Sequence, residues 1–190
     1  MPTGRKIAAL LVLAGALAST PAGAVIDVPI YSDTPISDAA QEGNVHDVED
    51  ALAKGTDPNS GDLHGKPAIL FAAGAGHDDV IKVLLDHGAK VDGTDRYGNT
   101  ALMAAASGGF DVTVRMLITA GAKLDAQNRD GETALILAVR AGKTTSVQAL
   151  LQGKADVNAS DYTGHTALAY AEQGRNPRVT QLLRQAGGKD

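Results

Sequence analysis

The sequence predicts an all-α solenoid of five helix-turn-helix repeats with hairpin-like loops between them. Three observations predict it. Gly65, Gly98, Gly131 and Gly164 fall 33 residues apart, and the residues that follow recur: Gly98-Asn99-Thr100-Ala101-Leu102, Gly131-Glu132-Thr133-Ala134-Leu135 and Gly164-His165-Thr166-Ala167-Leu168. A second glycine column, Gly55, Gly88, Gly121 and Gly187, keeps the same register and is broken at Lys154, where Gly153 stands one place early. Between them run an alanine column (Ala39, Ala72, Ala105, Ala138, Ala171) and a leucine column (Leu84, Leu117, Leu150, Leu183) with Ala51 as its first member. A period of this size marks stacked units, none of which can bury its apolar face alone.

The chain opens outside this pattern. Arg5 and Lys6 give a basic start, Ile7 to Ala18 is an uncharged and largely apolar run, and Ala22-Gly23-Ala24 has the form of an A-x-A cleavage site. Residues 1–24 therefore read as a secretory signal peptide. The run is short for a membrane span of about 20 residues, so cleavage before Val25 is expected. Residues 25–33 form an N-terminal extension, and 34–190 form the repeat domain. Its repeats fall at about 34–64, 65–97, 98–130, 131–163 and 164–190.

Each repeat justifies its own elements. Val80, Ile81, Val83, Leu84 and Leu85 carry the i, i+3, i+4 spacing of an amphipathic helix. The alanine column belongs to a first helix that can approach its neighbours closely. Thr100, Thr133 and Thr166 stand where a helix N-cap accepts the first free backbone N–H groups. The loops carry Asp62, Asp95, Asn128 and Asp161 three places before each glycine, side chains that bond locally to turn backbone. Lys154 would be strained if its site needs a positive φ, and Gly174-Arg175 is shifted in the same way. The end repeats carry polar residues on their helices, as caps must: Asp38, Glu42, Asp47, Glu49 and Asp50 in the first, Arg175, Arg178, Thr180 and Arg184 in the last.

Thr100-Ala101-Leu102 through Gly121-Ala122 resembles an ankyrin repeat. So do Ala72-Ala73-Gly74-Ala75-Gly76-His77 followed by Leu84-Leu85-Asp86-His87-Gly88-Ala89, and Thr34-Pro35-Ile36 with Ala39-Ala40. The resemblance covers nearly all of the chain after residue 33. The sequence departs from the family pattern where Ala68, Ala101, Ala134 and Ala167 replace proline. It departs again where Leu70, Met103, Ile136 and Ala169 replace histidine, so the family's usual hydrogen-bond network at that position is expected to be missing.

Composition excludes several functions. Zero cysteines rules out disulfides and thiolate chemistry, and suits an exported chain with nothing to mispair. The address expected is the bacterial periplasm, with secretion to the medium as the alternative. Loss of Arg5 and Lys6 takes the formal charge from −5 to −7. This acidic balance argues against nucleic acid and against anionic membrane surfaces, and it suggests a basic patch on the partner.

Chemistry is sparse. Gly142-Lys143-Thr144 looks like the end of a phosphate loop, but Leu137 stands where that motif needs glycine. His77-Asp78-Asp79 and His46-Asp47 sit at helix starts, where acids are favourable anyway. The five histidines have no metal-ligand spacing. Glu49-Asp50 reads as a solvated cap. No enzyme activity, cofactor or metal is expected.

The resemblance implies binding through loop tips and first helices, which line a concave face. The residues it places there are Leu63, Arg96, Arg129 and Tyr162 in one row and His64, Tyr97, Asp130 and Thr163 in the next. Lys66, Asn99, Glu132 and His165 follow, with Ser107, Arg140 and Gln173 on the first helices. Leu63, His64, Arg96, Tyr97, Asn99, Arg129, Asp130, Glu132, Arg140, Tyr162 and His165 are the candidate partner-binding set. Phe71, Leu137 and Tyr170 share a column read as half-buried packing. The chain is expected to act as a monomer that binds a protein, without nucleic acid and without membrane after cleavage. Small exported ankyrin-repeat proteins of bacteria imply two settings, catalase-linked protection from peroxide and immunity against a toxin delivered to the periplasm.

Overall fold

A computed structural model describes residues 36–189. Residues 1–24, expected to be a signal peptide, the expected 25–33 extension and Thr34-Pro35 lie outside these residues.

Among the described residues ten short helices follow one another in five packed pairs: α1 (Ile36–Glu42) with α2 (Val45–Ala53), α3 (Ala68–Ala75) with α4 (Asp78–Asp86), α5 (Ala101–Gly108) with α6 (Asp111–Thr119), α7 (Ala134–Arg140) with α8 (Thr144–Gln152), and α9 (Ala167–Gln173) with α10 (Pro177–Gln185). First helices pack on first helices (α1 on α3, α3 on α5, α5 on α7, α7 on α9), and second helices stack likewise. The alanine column makes that approach possible, and all five of its members are buried. Leu84, Leu117, Leu150 and Leu183 are fully buried, as are Val48, Ile81, Val114 and Val147. In the first repeat Ala51 is only half-buried, and Leu52 beside it enters the core instead.

Left-handed positions punctuate the repeats, two in the first and three in each of the other four. The turn between paired helices uses Gly43, Gly76, Gly109 and Gly142, with φ between 68° and 90°. The exit from the second helix uses Gly55, Gly88, Gly121 and Gly187. The strain expected at the broken positions is present: Lys154 has φ 70° and Arg175 φ 49°. A left-handed L-residue costs roughly 1–2 kcal/mol, so these two sites make the fourth and fifth repeats the less ideal ones.

Thr100, Thr133 and Thr166 are N-caps, their hydroxyls accepting from the N–H of Met103, Ile136 and Ala169. Pro67 holds the same place without a side-chain cap. Leu70, Met103 and Ile136, in the family's histidine column, are buried apolar side chains.

Neighbouring repeats are also tied by a column that sequence reading passed over. Asn59, Asp92, Asp125 and Asn158 each accept the backbone N–H of a residue 31 places later: Lys90, Lys123, Asp156 and Lys189, at 2.8–2.9 Å. A second tie closes the helix-pair turns. The His77, Phe110 and Lys143 side chains lie over Gly43, Gly76 and Gly109 of the preceding repeat, where a Cβ would collide with them. His77 Nε2 also bonds the Gln41 carbonyl at 3.0 Å, a structural use of that histidine.

Candidate protein-binding face

The hairpin loops owe their shape to one acceptor each. Asp95 Oδ1 takes the N–H of Tyr97 (2.8 Å) and of Asn99 (2.9 Å). Asn128 does the same for Asp130 and Glu132, Asp62 for His64 and Lys66, and Asp161 for Thr163 and His165. Each loop then reverses with its glycine N–H bonded to that residue's carbonyl, as in Gly98 to Asp95 at 3.0 Å. Gly65, Gly98, Gly131 and Gly164 have φ of 75–83°, which explains the glycine column. Isolated bridges Gly61–Pro67, Thr94–Thr100 and Ser160–Thr166 close three of the hairpins.

The tips touch one another through backbone. Arg129 N–H donates to the Tyr97 carbonyl (2.9 Å), and Tyr162 N–H to the Asp130 carbonyl (3.1 Å). The side chains at these tips point outward: Leu63 is fully exposed, Tyr97 and Tyr162 are 52% and 72% exposed, and His64, Arg96, Arg129 and Asp130 are exposed too. Arg96 lies over the Tyr97 ring at 4.7 Å and donates to its hydroxyl at 2.7 Å.

Behind the tips, on the inner side of the first helices, lies a depression of about 430 Å³ lined by Lys66, Tyr97, Asn99, Ser107, Asp130 and Leu137 among others. Its floor is a hydrogen-bonded chain. Asn99 donates to Asp95 Oδ2 (3.0 Å), Asn128 donates to Asn99 Oδ1 (3.0 Å) and Glu132 Oε2 (3.1 Å), and Arg140 pairs with Glu132 Oε1. Glu132 is therefore an inward residue: it is buried and both its oxygens are taken. Arg140 is half-exposed, with its guanidinium 5.2 Å from the Tyr170 ring. Phe71, Leu137 and Tyr170 are half-buried against the core as expected, and Lys66 Nζ sits 3.9 Å over Phe71. Gln173 is exposed at the end of α9.

In the last loop Tyr170 donates to Asp161 Oδ2 (2.6 Å), and Thr163 donates to Asp161 Oδ1 (2.6 Å). His165 Nδ1 lies 2.7 Å from the Thr163 hydroxyl, and its ring is tilted on Tyr170 at 5.4 Å. Burial alone would push the Asp161 carboxyl up. The hydrogen bonds from the Thr163 and Tyr170 hydroxyls and the His165 and Thr163 N–H groups outweigh it and hold the carboxyl well below the usual range. The Tyr170 phenol is pushed up by that same bond to Asp161, and by burial.

A depressed folded-state pKa stabilises the fold above the unfolded carboxyl's value of about 3.9, and that stability is lost as pH falls through the folded value. Asp161→Asn is accordingly expected to cost about 1–3 kcal/mol at pH 7, with a smaller gap to wild type at pH 3. Urea melts at the two pH values check this, and a gap that does not narrow would contradict it.

No group of three or more potential metal-binding side chains occurs among the described residues, and none of their helices is long and apolar enough to cross a membrane.

Comparison with known proteins agrees with this architecture. One relative, "Ankyrin repeat protein nuc-2" of Neurospora crassa, is 42% identical over 55 residues, which is 29% of this chain and 5% of that protein. The similarity is thus to a small piece of a much longer chain. The family of ankyrin repeats, described in three copies, matches residues 36–128 and 110–190. With ten helices among the described residues, its repeat of 33 and its row of loop tips, the chain belongs to the ankyrin-repeat family, whose members act as protein–protein interaction modules.

Proposed function

We propose that this chain is an exported module that binds a protein partner through its concave face, with Arg96, Tyr97, Arg129 and Tyr162 as the principal contacts. One observation carries the reading: these side chains project from three successive tips that are locked together by backbone hydrogen bonds. Tyrosine and arginine are the residue types enriched among interface hot spots, and a row that is already rigid loses little entropy on binding. Asn99, His64, Leu63, Asp130 and His165 flank the row. Glu132 contributes by holding Arg140 toward the same face.

The test is a variant with Arg96, Tyr97, Arg129 and Tyr162 all changed to alanine, assayed against the protein recovered by pull-down from a periplasmic extract. Affinity is expected to fall by more than about 2 kcal/mol in sum, with the helical circular dichroism unchanged. Undiminished affinity would move the interface to the convex helices or to the acidic first repeat.

The compartment proposed is the periplasm, on the strength of residues 1–24. Intact mass of protein from a periplasmic fraction is expected to begin at Val25, and a mass that retains residues 1–24 would favour an anchored form. Protection against peroxide is the biological role proposed with it, and sensitivity of a deletion strain to peroxide is its test. Stoichiometric inhibition of a single toxin would instead mark the immunity role.

A further inference from the structure

The chain as a whole is acidic, but the layer of the concave face that a partner would touch is not. Its carboxylates and its cations lie at different depths. Asp161 and Glu132 are buried, and Asp62 and Asp95 are half-buried. Each of these four is already engaged: Asp62, Asp95 and Asp161 by two backbone N–H groups apiece, Glu132 by Arg140 and Asn128. Outside them stand Arg96, Arg129 and Arg140, all exposed. Arg129 has no ion-pair partner among the described residues. Asp130 is the exposed carboxylate of the tips. Between and beside the cations lie the exposed Leu63, Tyr97 and Tyr162.

From this layering, and resting on the concave-face reading above, we infer that the partner presents an acidic polypeptide segment, not a basic patch. Its carboxylates meet Arg96 and Arg129, and its apolar side chains meet Tyr97, Tyr162 and Leu63. Guanidinium groups suit this recognition because they bind carboxylates through two parallel N–H donors. The spacing fits a segment in polyproline II conformation. Successive repeats stack at a helix-packing distance of roughly 8–10 Å, and a polyproline II segment rises roughly 3.1 Å per residue with about three residues per turn. Acids three residues apart therefore lie on one side of it and reach successive tips. A nucleic acid fits the same face poorly. Its phosphates would meet Asp130 at the surface and the carboxylates just below, and two exposed tyrosines are a sparse platform for stacking bases.

The test uses fluorescence anisotropy with three labelled probes: the peptides (Glu-Ala-Leu)5 and (Lys-Ala-Leu)5, and a 20-nucleotide single-stranded DNA. The wild-type protein is expected to bind the acidic peptide at least about tenfold more tightly than the basic one, with affinity falling as salt is raised. The double variant Arg96→Glu/Arg129→Glu is expected to lose or invert that preference. Arg140 is left in place so that Glu132 keeps its partner, and circular dichroism confirms that the variant folds. Equal or tighter binding of the basic peptide would overturn the inference. So would a preference that survives charge reversal, tighter binding of the DNA, or no binding of the acidic peptide at 1 mM. The concave-face reading fails separately. If the quadruple alanine variant loses the captured partner while the acidic peptide shows no preference, the face stands and the acidic partner falls.

Discussion

Replacing Leu117 with alanine is expected to destabilise the protein by roughly 2–5 kcal/mol, the cost of lost burial plus a cavity that its neighbours cannot fill. Leu117 is fully buried in α6 of the central repeat, and α6 packs between α4 and α8 as well as against α5. A void there loosens contacts on both sides of the stack. Stability in such an array is close to a sum of repeat terms and interface terms, so a central defect weakens two interfaces where a terminal one weakens one. Arg96→Ala on a loop tip serves as the control and is expected to stay within about 0.5 kcal/mol of wild type. Urea melts of both variants give the comparison. A wild-type midpoint for Leu117→Ala would mean that α6 does not hold its place in the core.

Gly131→Ala is expected to cost about 2–4 kcal/mol, and Gly164→Ala only about 1–2 kcal/mol. Both glycines have nearly the same left-handed backbone, φ 79° and 83°, so both variants carry the same local strain. The surroundings differ. A Cβ at Gly131 would lie 2.6 Å from the Tyr162 backbone nitrogen and 2.6 Å from its ring, whereas at Gly164 nothing lies within 4 Å. The ring can swing away, but the nitrogen is held by its bond to the Asp130 carbonyl. Subtracting one variant's loss from the other's in thermal melts isolates the cost of pushing two tips apart. Equal losses would show that the tips yield freely, and would also weaken the case for a rigid binding row.

Much of this was legible in the sequence because it depends on spacing alone. The glycine, alanine and leucine columns, the threonine caps and the Asp/Asn loop residues all act within one repeat or recur at a fixed interval. Fixed spacing survives translation into three dimensions. The strain at Lys154 followed from the same logic, since a column of left-handed glycines leaves its exception no other backbone.

The candidate binding face was legible only as a row of positions. Glu132 and Arg140 read as two groups offered to a partner, but their rotamers bring them together and bury the acid. The Asp161–Tyr170 bond and the placing of His77 and Phe110 over glycines of the previous repeat likewise depend on side-chain direction, which periodicity does not carry. The Asn59, Asp92, Asp125 and Asn158 column is different. Its 33-residue interval was on view, but Asn and Asp in a polar loop look like any solvated residues until the backbone N–H that the next repeat donates to each is seen.

That column has a consequence for how the chain reaches its structure. Its bonds close 31 residues, and the other side-chain ties between repeats close 29 to 36. Loop-closure entropy grows with the length enclosed, so each docking event in this molecule costs the same whichever repeat makes it. Contacts of such short range favour fast folding. Two adjacent repeats can dock as soon as both exist, and each later repeat then adds to a template already formed. The time to fold is set by one docking step, and it does not lengthen in proportion to the distance between the ends of the chain.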